Sequence, residues 1–233
     1  MLILRRVGND IVDLLHPHVQ GKSNNTRFRK RILLPEEEHL LLADSEPDAM
    51  LWALWTGKEA AYKAIQKDQW DVTSKPLLYK VQFGRTEARI EAREPVVALL
   101  PCERRLLGAV ATPRGNINLE TMITASYVHS IATSFASDSG TRIAWQVARM
   151  PFDNPTPAYE SSYVRAAAQR HLAQYLPGSS PQDVEIRRAQ GPHGLGPPLV
   201  YLRGQATDID ISLSHEGAFA AYAFAVSPLL EVL

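Results

Sequence analysis

Three short motifs hold the residues of this chain whose types and spacing suit chemistry: GNDIVD near the start, WTGKEAAYK further along and SLSH ending at His215. The first offers the carboxylate of Asp10, the second the pair Glu59 and Lys63, and the third a histidine. Magnesium-dependent chemistry on a phosphate needs such groups, because carboxylates hold the cation and basic side chains neutralise phosphate charge. The motifs lie at opposite ends of 233 residues, so the fold must bring the ends together.

Each N-terminal motif is positioned by a predicted element. The segment LILRRVGNDIVDL is typical of a strand entering a turn, which puts Asp10 at the strand's end. The helix predicted over Asp48–Gln66 carries Glu59 and Lys63 four residues apart, and so on one face. The same pair also has a plain explanation as a helix-stabilising ion pair. An earlier helix is expected to begin at Pro35, with acidic residues in its first turn.

The second half of the chain repeats this order of elements. A strand TRIAWQVARM, a helix over Ser161–Leu176 and several strands are predicted there. TASYVHSIATSFA resembles DISLSHEGAFAAYAFA, including SxxH at Ser126–His129 and at Ser212–His215. These parallels favour an internal duplication over a chance likeness of αβ segments. We therefore predict an α+β fold of two similar lobes, residues 1–138 and 139–233, each an antiparallel sheet with a packed helix.

Charge and cysteine content narrow the class of protein. The 25 basic and 25 acidic residues cancel, so the chain lacks the overall charge of a nucleic-acid-binding protein. The single cysteine, Cys102, cannot form an intramolecular disulfide, and no run approaches the roughly 20 apolar residues of a membrane span. We expect a soluble, cytoplasmic protein. The basic cluster Arg27, Arg29, Lys30 and Arg31 is either a solvated surface or a contact for an anionic partner.

Together the three motifs resemble the 4'-phosphopantetheinyl transferase superfamily, whose members carry a GxD segment, a WxxKEAxxK helix and a SxSH strand. The resemblance implies transfer of the phosphopantetheine arm of coenzyme A to a serine of an apo acyl or peptidyl carrier protein, with Mg2+ as cofactor and adenosine 3',5'-bisphosphate as by-product. It further implies Asp10 and Glu59 as metal ligands, Glu59 or a water that it holds as the base for the acceptor serine, and Lys63 at the transferred phosphate. The side chains implied to bind coenzyme A are His215, Ser214, Arg170 and Lys63.

The sequence departs from the superfamily pattern at several positions. Asn9 replaces a hydrophobic residue, and Val12 stands where the larger, surfactin-synthetase type has a third acidic ligand, so two protein ligands are expected. Gly196–Pro198 keeps the glycine and proline of a GKP loop without its lysine, a loss for which His193 or Arg188 would have to compensate.

The order of the motifs matches the small holo-acyl-carrier-protein synthase type, whose chain is about half as long and forms trimers. We therefore predict a fused pseudodimer that is a monomer in solution, with one site per chain. The first lobe would supply Asp10, Glu59 and Lys63, and the second Arg170, Ser214 and His215. Because carrier proteins present an acidic helix beside the modified serine, the resemblance makes the basic cluster a candidate docking surface.

Two other hypotheses remain open. The first is a catalytically degenerate member that binds coenzyme A or a carrier protein as a scaffold, which Asn9 and the missing GKP lysine make conceivable. The second is a transition-metal hydrolase site at His16 and His18, for which the sequence offers neither HExxH nor a cysteine cluster. We expect no nucleic-acid or membrane partner under any of these hypotheses.

Overall fold

Antiparallel strands and helices make up the chain, as predicted. The computed structural model describes residues 5–68, 71–90, 102–135, 141–151, 156–191 and 194–226. The helices are α1 (Thr26–Ile32), α2 (Pro35–Ala43), α3 (Pro47–Ile65) and α4 (Pro157–Ala173). The strands are β1 (Val7–Asp13), β2 (Lys80–Ile90), β3 (Cys102–Thr112), β4 (Gly115–Ile123), β5 (Tyr127–Thr133), β6 (Arg142–Arg149), β7 (Val184–Gly191), β8 (Gly194–Leu202), β9 (Gln205–Ala206), β10 (Ile211–Glu216) and β11 (Phe219–Val226). The predicted α+β class with antiparallel sheets is confirmed.

The first sheet carries α3 on one face. Its strand order is β1-β5-β4-β3-β2, so the first strand lies at an edge beside β5. Apolar residues spaced along α3, among them Leu51, Leu54 and Ala61, are buried against this sheet. A Cβ on Gly8 would lie 1.9 Å from the carbonyl oxygen of Ala60, so only glycine permits this close approach of β1 to the helix.

The C-terminal half forms two smaller sheets around α4. One has the order β10-β11-β6 and the other β7-β8-β9, and β8 also contacts β10. Val164, Ala168 and Leu172 of α4 are buried with Tyr222 and Phe224 of β11. This half therefore has a hydrophobic core of its own.

The two halves meet across apolar side chains from five strands. Ile11 and Tyr127 pack with Val147 and Phe219 in one buried cluster. A second cluster joins residues of β1, β4, β5 and β11, and its buried members are Val7, Met122, Ile131 and Ala223. Strand β1 therefore lies between the first sheet and the C-terminal half.

The SxxH correspondence expected between the halves is wrong. Ser126 precedes β5, and His129 lies in β5, the second strand of its hairpin. Ser212 and His215 lie in β10, the first strand of the other hairpin. The matching letters therefore belong to residues at different places in the topology. His129 is also fully buried, with its Nε2 3.2 Å from the Asn9 side-chain nitrogen.

Candidate active site

Asp10 is the point at which the ends of the chain meet. Its Oδ1 accepts hydrogen bonds from Lys63 Nζ at 2.7 Å and from Ser214 Oγ at 2.8 Å. The side chain is buried at the interface of β1, α3 and β10, since Asp10 is 8% exposed. Ser214, 204 positions after Asp10 in the sequence, therefore shares this carboxylate oxygen with Lys63.

Glu59 lies one turn before Lys63 on α3. Burial and the charge of Asp10, opposed by the charge of Lys63, raise the pKa of Glu59 to about 7. Glu59 also lines a cleft of about 380 Å³. The other lining residues are Arg31, Ile32, Trp55, Ser74, Lys75 and Pro76. A carboxyl that titrates near neutrality at the edge of an open cleft is suited to general base catalysis.

His215 is held by a carboxylate from α4. Its Nδ1 lies 3.1 Å from Glu160 Oε2, which fixes the plane of the ring and directs Nε2 away from Glu160. Burial lowers the pKa of His215; Glu160 opposes this, while the charges of Lys63 and Arg165 add to it. His215 is therefore close enough to both cations for their charges to act on it.

The structure does not bring Arg170 into this group of residues. Arg170 is exposed on α4, and its charge acts on the buried Tyr222 hydroxyl, whose pKa burial raises. Arg165 is the α4 arginine whose charge lowers the pKa of His215. Burial lowers the pKa of Arg188, and the charge of Arg165 lowers it further. Arg188 donates from Nε to the Gly196 carbonyl at 2.7 Å, in the loop that lacks the GKP lysine. His193 lies outside the described residues.

Sequence reasoning missed two acidic residues, Glu160 and Glu216. Burial raises the pKa of Glu216 to about 7, with further contributions from the charges of Asp10 and Asp13, while a hydrogen bond to the Asp13 backbone lowers it. The available signal was the alternation in DIDISLSHE, which gives one strand face the polar residues Asp210, Ser212, Ser214 and Glu216. Alternation identifies the face but not the element that it meets.

The carboxyl groups near Asp10 do not form a ready-made metal cage. Among the residues that the structure describes, no group of three or more His, Cys, Asp or Glu is arranged to hold a metal ion. Asp13, the last residue of the GNDIVD motif, accepts from the backbone N–H groups of Leu15 and Ala218 at 2.9 Å each. Its carboxylate is thus used to fix two turns.

Lys58 of the KEA motif has a structural role. It is 1% exposed at its side chain, and its Nζ contacts the buried Glu37 carboxylate at 2.5 Å and the carbonyl oxygen of Ile32 at 2.7 Å. Glu37 in turn accepts the backbone N–H groups of Leu34 and Val81. The pair ties α1, α2, α3 and β2 together directly behind the cleft that Glu59 lines.

The basic cluster divides into exposed and internal members. Arg27, Lys30 and Arg31 of α1 are exposed. Arg29 is instead paired with Glu38 at 3.0 Å and donates to the Ser23 carbonyl at 2.7 Å. Three of the four side chains thus remain as candidates for a partner surface.

No helix in the described ranges is long and apolar enough to cross a membrane. A family model described as the 4'-phosphopantetheinyl transferase superfamily matches residues 6–90, the segment that contains Asp10, Glu59 and Lys63. No curated protein and no solved structure matches the chain. The resemblance predicted from the motifs is thereby confirmed for this part of the chain: residues 6–90 match the 4'-phosphopantetheinyl transferase superfamily.

Proposed function

We propose that this protein transfers 4'-phosphopantetheine from coenzyme A to a serine of an apo acyl or peptidyl carrier protein and releases adenosine 3',5'-bisphosphate. The observation that carries the proposal is the meeting of Asp10, Lys63 and Ser214 on one ion pair, with Glu59 and His215 close by. The superfamily match covers Asp10, Glu59 and Lys63 but not β10. The contact of Asp10 with Ser214 of β10 is therefore independent support.

The residues near Asp10 fit Mg2+. Glu59 and Glu216 both have pKa values raised in part by the charge of Asp10, and a bound cation would relieve this repulsion. Mg2+ is commonly held by one or two carboxylates with water and substrate phosphate completing its shell, which suits a site with few protein ligands. We assign Asp10 and Glu59 as the residues that would hold the ion. When bound, Mg2+ would neutralise charge on the diphosphate of coenzyme A.

The protein side chains supply the proton transfer and the orientation. The acceptor serine oxygen attacks the phosphorus that carries the pantetheine arm, and its proton passes to Glu59. The bond from that phosphorus to the oxygen of the adenosine bisphosphate breaks, and the bisphosphate leaves with this oxygen. Lys63 moves from Asp10 to the transferred phosphate, and Nε2 of His215 binds a coenzyme A phosphate while Glu160 holds the ring.

Arg165 and Arg188 are the arginines that we assign to the nucleotide phosphates. Their proximity to each other, seen in the lowered pKa of Arg188, favours an anionic ligand between them. Arg165→Ala should raise the KM for coenzyme A, whereas Arg170→Ala serves as the matched α4 control. A larger effect at Arg170 would favour the sequence-based assignment instead. A direct contact from Ser214 to coenzyme A stays a prediction, since its hydroxyl is used by Asp10.

The carrier protein would approach over α1. Arg31 lines the same cleft as Glu59, so a serine beside an acidic helix has a path from the exposed cations to the base. Arg27→Glu combined with Arg31→Glu should raise the carrier KM at least about tenfold at low salt and leave the coenzyme A KM unchanged. Arg187→Glu, on the exposed surface of β7, is the control. Equal carrier kinetics in the double variant and the wild type would exclude this surface.

A fused pair of lobes, residues 1–138 and 139–233, accounts for the position of the site. The strand order of the first half is β1-β5-β4-β3-β2. In the second half β8 contacts β10, which joins its two sheets in the corresponding order β6-β11-β10-β8-β7 and supports this arrangement. Asp10 lies opposite Ser130 in the first half, and Gln146 opposite Tyr222 lies at the equivalent position of the second. Glutamine cannot replace the metal-binding carboxylate, so one site per chain and a cytoplasmic monomer are proposed.

The direct test incubates the protein with coenzyme A, Mg2+ and apo carrier protein and measures the mass of the carrier. A phosphopantetheine-sized increase is expected, with loss of activity in Glu59→Gln but not in Glu185→Gln, a half-buried glutamate of β7 that pairs with Arg187. Full activity of the Glu59 variant would reject its role as base. Coenzyme A binding without transfer to any of several carriers would instead favour the scaffold hypothesis.

A further inference from the structure

The outer edge of β1 is paired with side chains instead of a backbone strand. Alternate N–H groups of β1 donate to alternate side chains of the segment that leads into and forms β10. The three bonds are Val7 N to Asp210 Oδ2 at 2.6 Å, Asn9 N to Ser212 Oγ at 2.9 Å and Ile11 N to Ser214 Oγ at 3.3 Å. One face of the segment 210–214 thus covers the edge of β1, with one hydrogen bond for every second residue of each strand.

Lys63 of α3 and Lys67, in the turn that follows the helix, complete this pairing from the carbonyl side. Lys67 Nζ donates to the carbonyl oxygens of Val7 at 2.6 Å and Ile211 at 2.8 Å, so it joins β1 directly to β10. Lys63 Nζ, one turn earlier, lies 3.2 Å from the Asn9 carbonyl oxygen. We call this set of side-chain bonds between β1 and β10 the seam.

The two ends of the seam differ in chemistry. At one end, Asp210 accepts from Val7 N–H, from Lys67 at 2.7 Å and from Arg6 at 3.0 Å. Lys67 and Asp210 are only 4% and 7% exposed, so each depends on the other for charge compensation. At the other end, Ser214 contacts the Asp10 carboxylate. The ends are about 13 Å apart, at roughly 3.3 Å per strand residue.

A charged anchor at one end of a strand fixes the register of the residues at the other end. Serine hydroxyls bond to any N–H that they meet, so Ser212 and Ser214 alone do not distinguish the observed register from a slipped one. A slip by two residues would instead separate Asp210 from Lys67 and leave a buried charge unpaired, which is strongly unfavourable.

We infer that Asp210 and Lys67 are positioning residues, which set the register of β10 on β1 and thereby the distance of His215 and Ser214 from Asp10. This inference rests on the proposed function, because the register matters to catalysis only if both strands contribute to one site. Neither residue would touch the substrate.

The test compares Asp210→Asn with Asp68→Asn as the matched control, since Asp68 pairs with Arg6 but lies outside the seam. For Asp210→Asn we expect kcat/KM for coenzyme A to fall about 100-fold, as a displacement of about 1 Å in a catalytic group can cause. Part of this fall should be a raised KM for coenzyme A, because His215 would no longer be held at its phosphate. The KM for the carrier should stay within about twofold, because its docking surface belongs to α1. A variant that merely lost folded protein would lower the apparent kcat and leave both KM values unchanged.

A second variant covers the case in which Asp210→Asn does not fold. Lys67→Met combined with Asp210→Asn removes both charges and leaves no buried cation alone. The folded double variant should have the same raised KM for coenzyme A. A wild-type KM in either folded variant would overturn the inference.

Hydrogen exchange separates this inference from the proposed function. The amides of Asn9 and Ile11 should exchange faster in Asp210→Asn than in the wild type and in Asp68→Asn, whether or not the protein transfers phosphopantetheine. A wild type without transferase activity would refute the proposed function alone. Unchanged exchange in residues 7–11 would refute the seam's anchor.

Discussion

The glycine of the GNDIVD motif offers the sharpest test of how the fold positions Asp10. In Gly8→Ala the new Cβ would lie 1.9 Å from the Ala60 carbonyl oxygen and 2.7 Å from the Ala64 nitrogen. Ordinary contact begins at 3.4 Å, so β1 and α3 must separate by about 1.5 Å (3.4 minus 1.9). Both obstructing atoms belong to the backbone, and no rotamer change removes the clash.

The expected cost of Gly8→Ala is about 3 kcal/mol in the free energy of unfolding, at the upper end of the usual range for overpacking. Because Asp10 lies two residues along the same strand, its shift relative to Glu59 and Lys63 should lower kcat by about 100-fold. Urea denaturation measures the first effect, and transfer to an apo carrier protein at saturating substrate measures the second.

Gly84→Ala is the matched control for this substitution. Gly84 also lies in a strand, but a Cβ there would meet nothing within 4 Å. Its stability should change by less than about 1 kcal/mol, and its activity should not change. Equal stability and activity of the Gly8 and Gly84 variants would refute the explanation that β1 must contact α3 through a glycine.

Two further predictions concern buried ionisable groups. Lys58→Met should destabilise the protein by about 3–5 kcal/mol in urea denaturation, since Glu37 is left as a buried charge. Lys80→Met, in the exposed pair with Glu36, should change the stability far less. The pKa of Glu59 is raised from 4.5 to about 7, so the wild-type protein loses stability as the pH rises through this range and the buried carboxyl ionises. Glu59→Gln removes this loss and should stabilise the metal-free protein above pH 7 by up to about 3 kcal/mol. The gain should vanish below pH 4.5, and a gain that did not depend on pH in unfolding measurements would contradict the ionisation of Glu59 as its cause.

The helices show what local sequence can predict. The apolar spacing of α3 predicts Asp48–Gln66, and the helix runs over Pro47–Ile65, because this helix is buried along most of its length. Helix α4 was expected from Ser161 but begins at Pro157, where proline suits the first helical position and Thr156 accepts the N–H of Tyr159. The proline-rich segment thus starts the helix that it was expected to precede.

The site shows where local sequence is insufficient. Asp10, Glu59 and Lys63 follow from motifs within the first third of the chain, and Lys63 does reach Asp10. Lys58 differs from Lys63 only in its tertiary partner, Glu37, which no spacing within α3 reveals. Glu160 could not be assigned to His215 for the same reason, since their contact depends on how α4 lies against β10.

The seam also has a consequence for the order in which the protein matures. The bond between Asn9 and Ser212 closes a loop of 203 residues, and contacts of such separation generally form late in folding. During synthesis β1 can pair with β5 long before β10 has been made, so its outer edge stays uncovered until nearly the whole chain has left the ribosome. An exposed strand edge recruits other strands, which makes aggregation the main risk for nascent or C-terminally truncated chains. Asp10 acquires its contact with Ser214 only at this late stage.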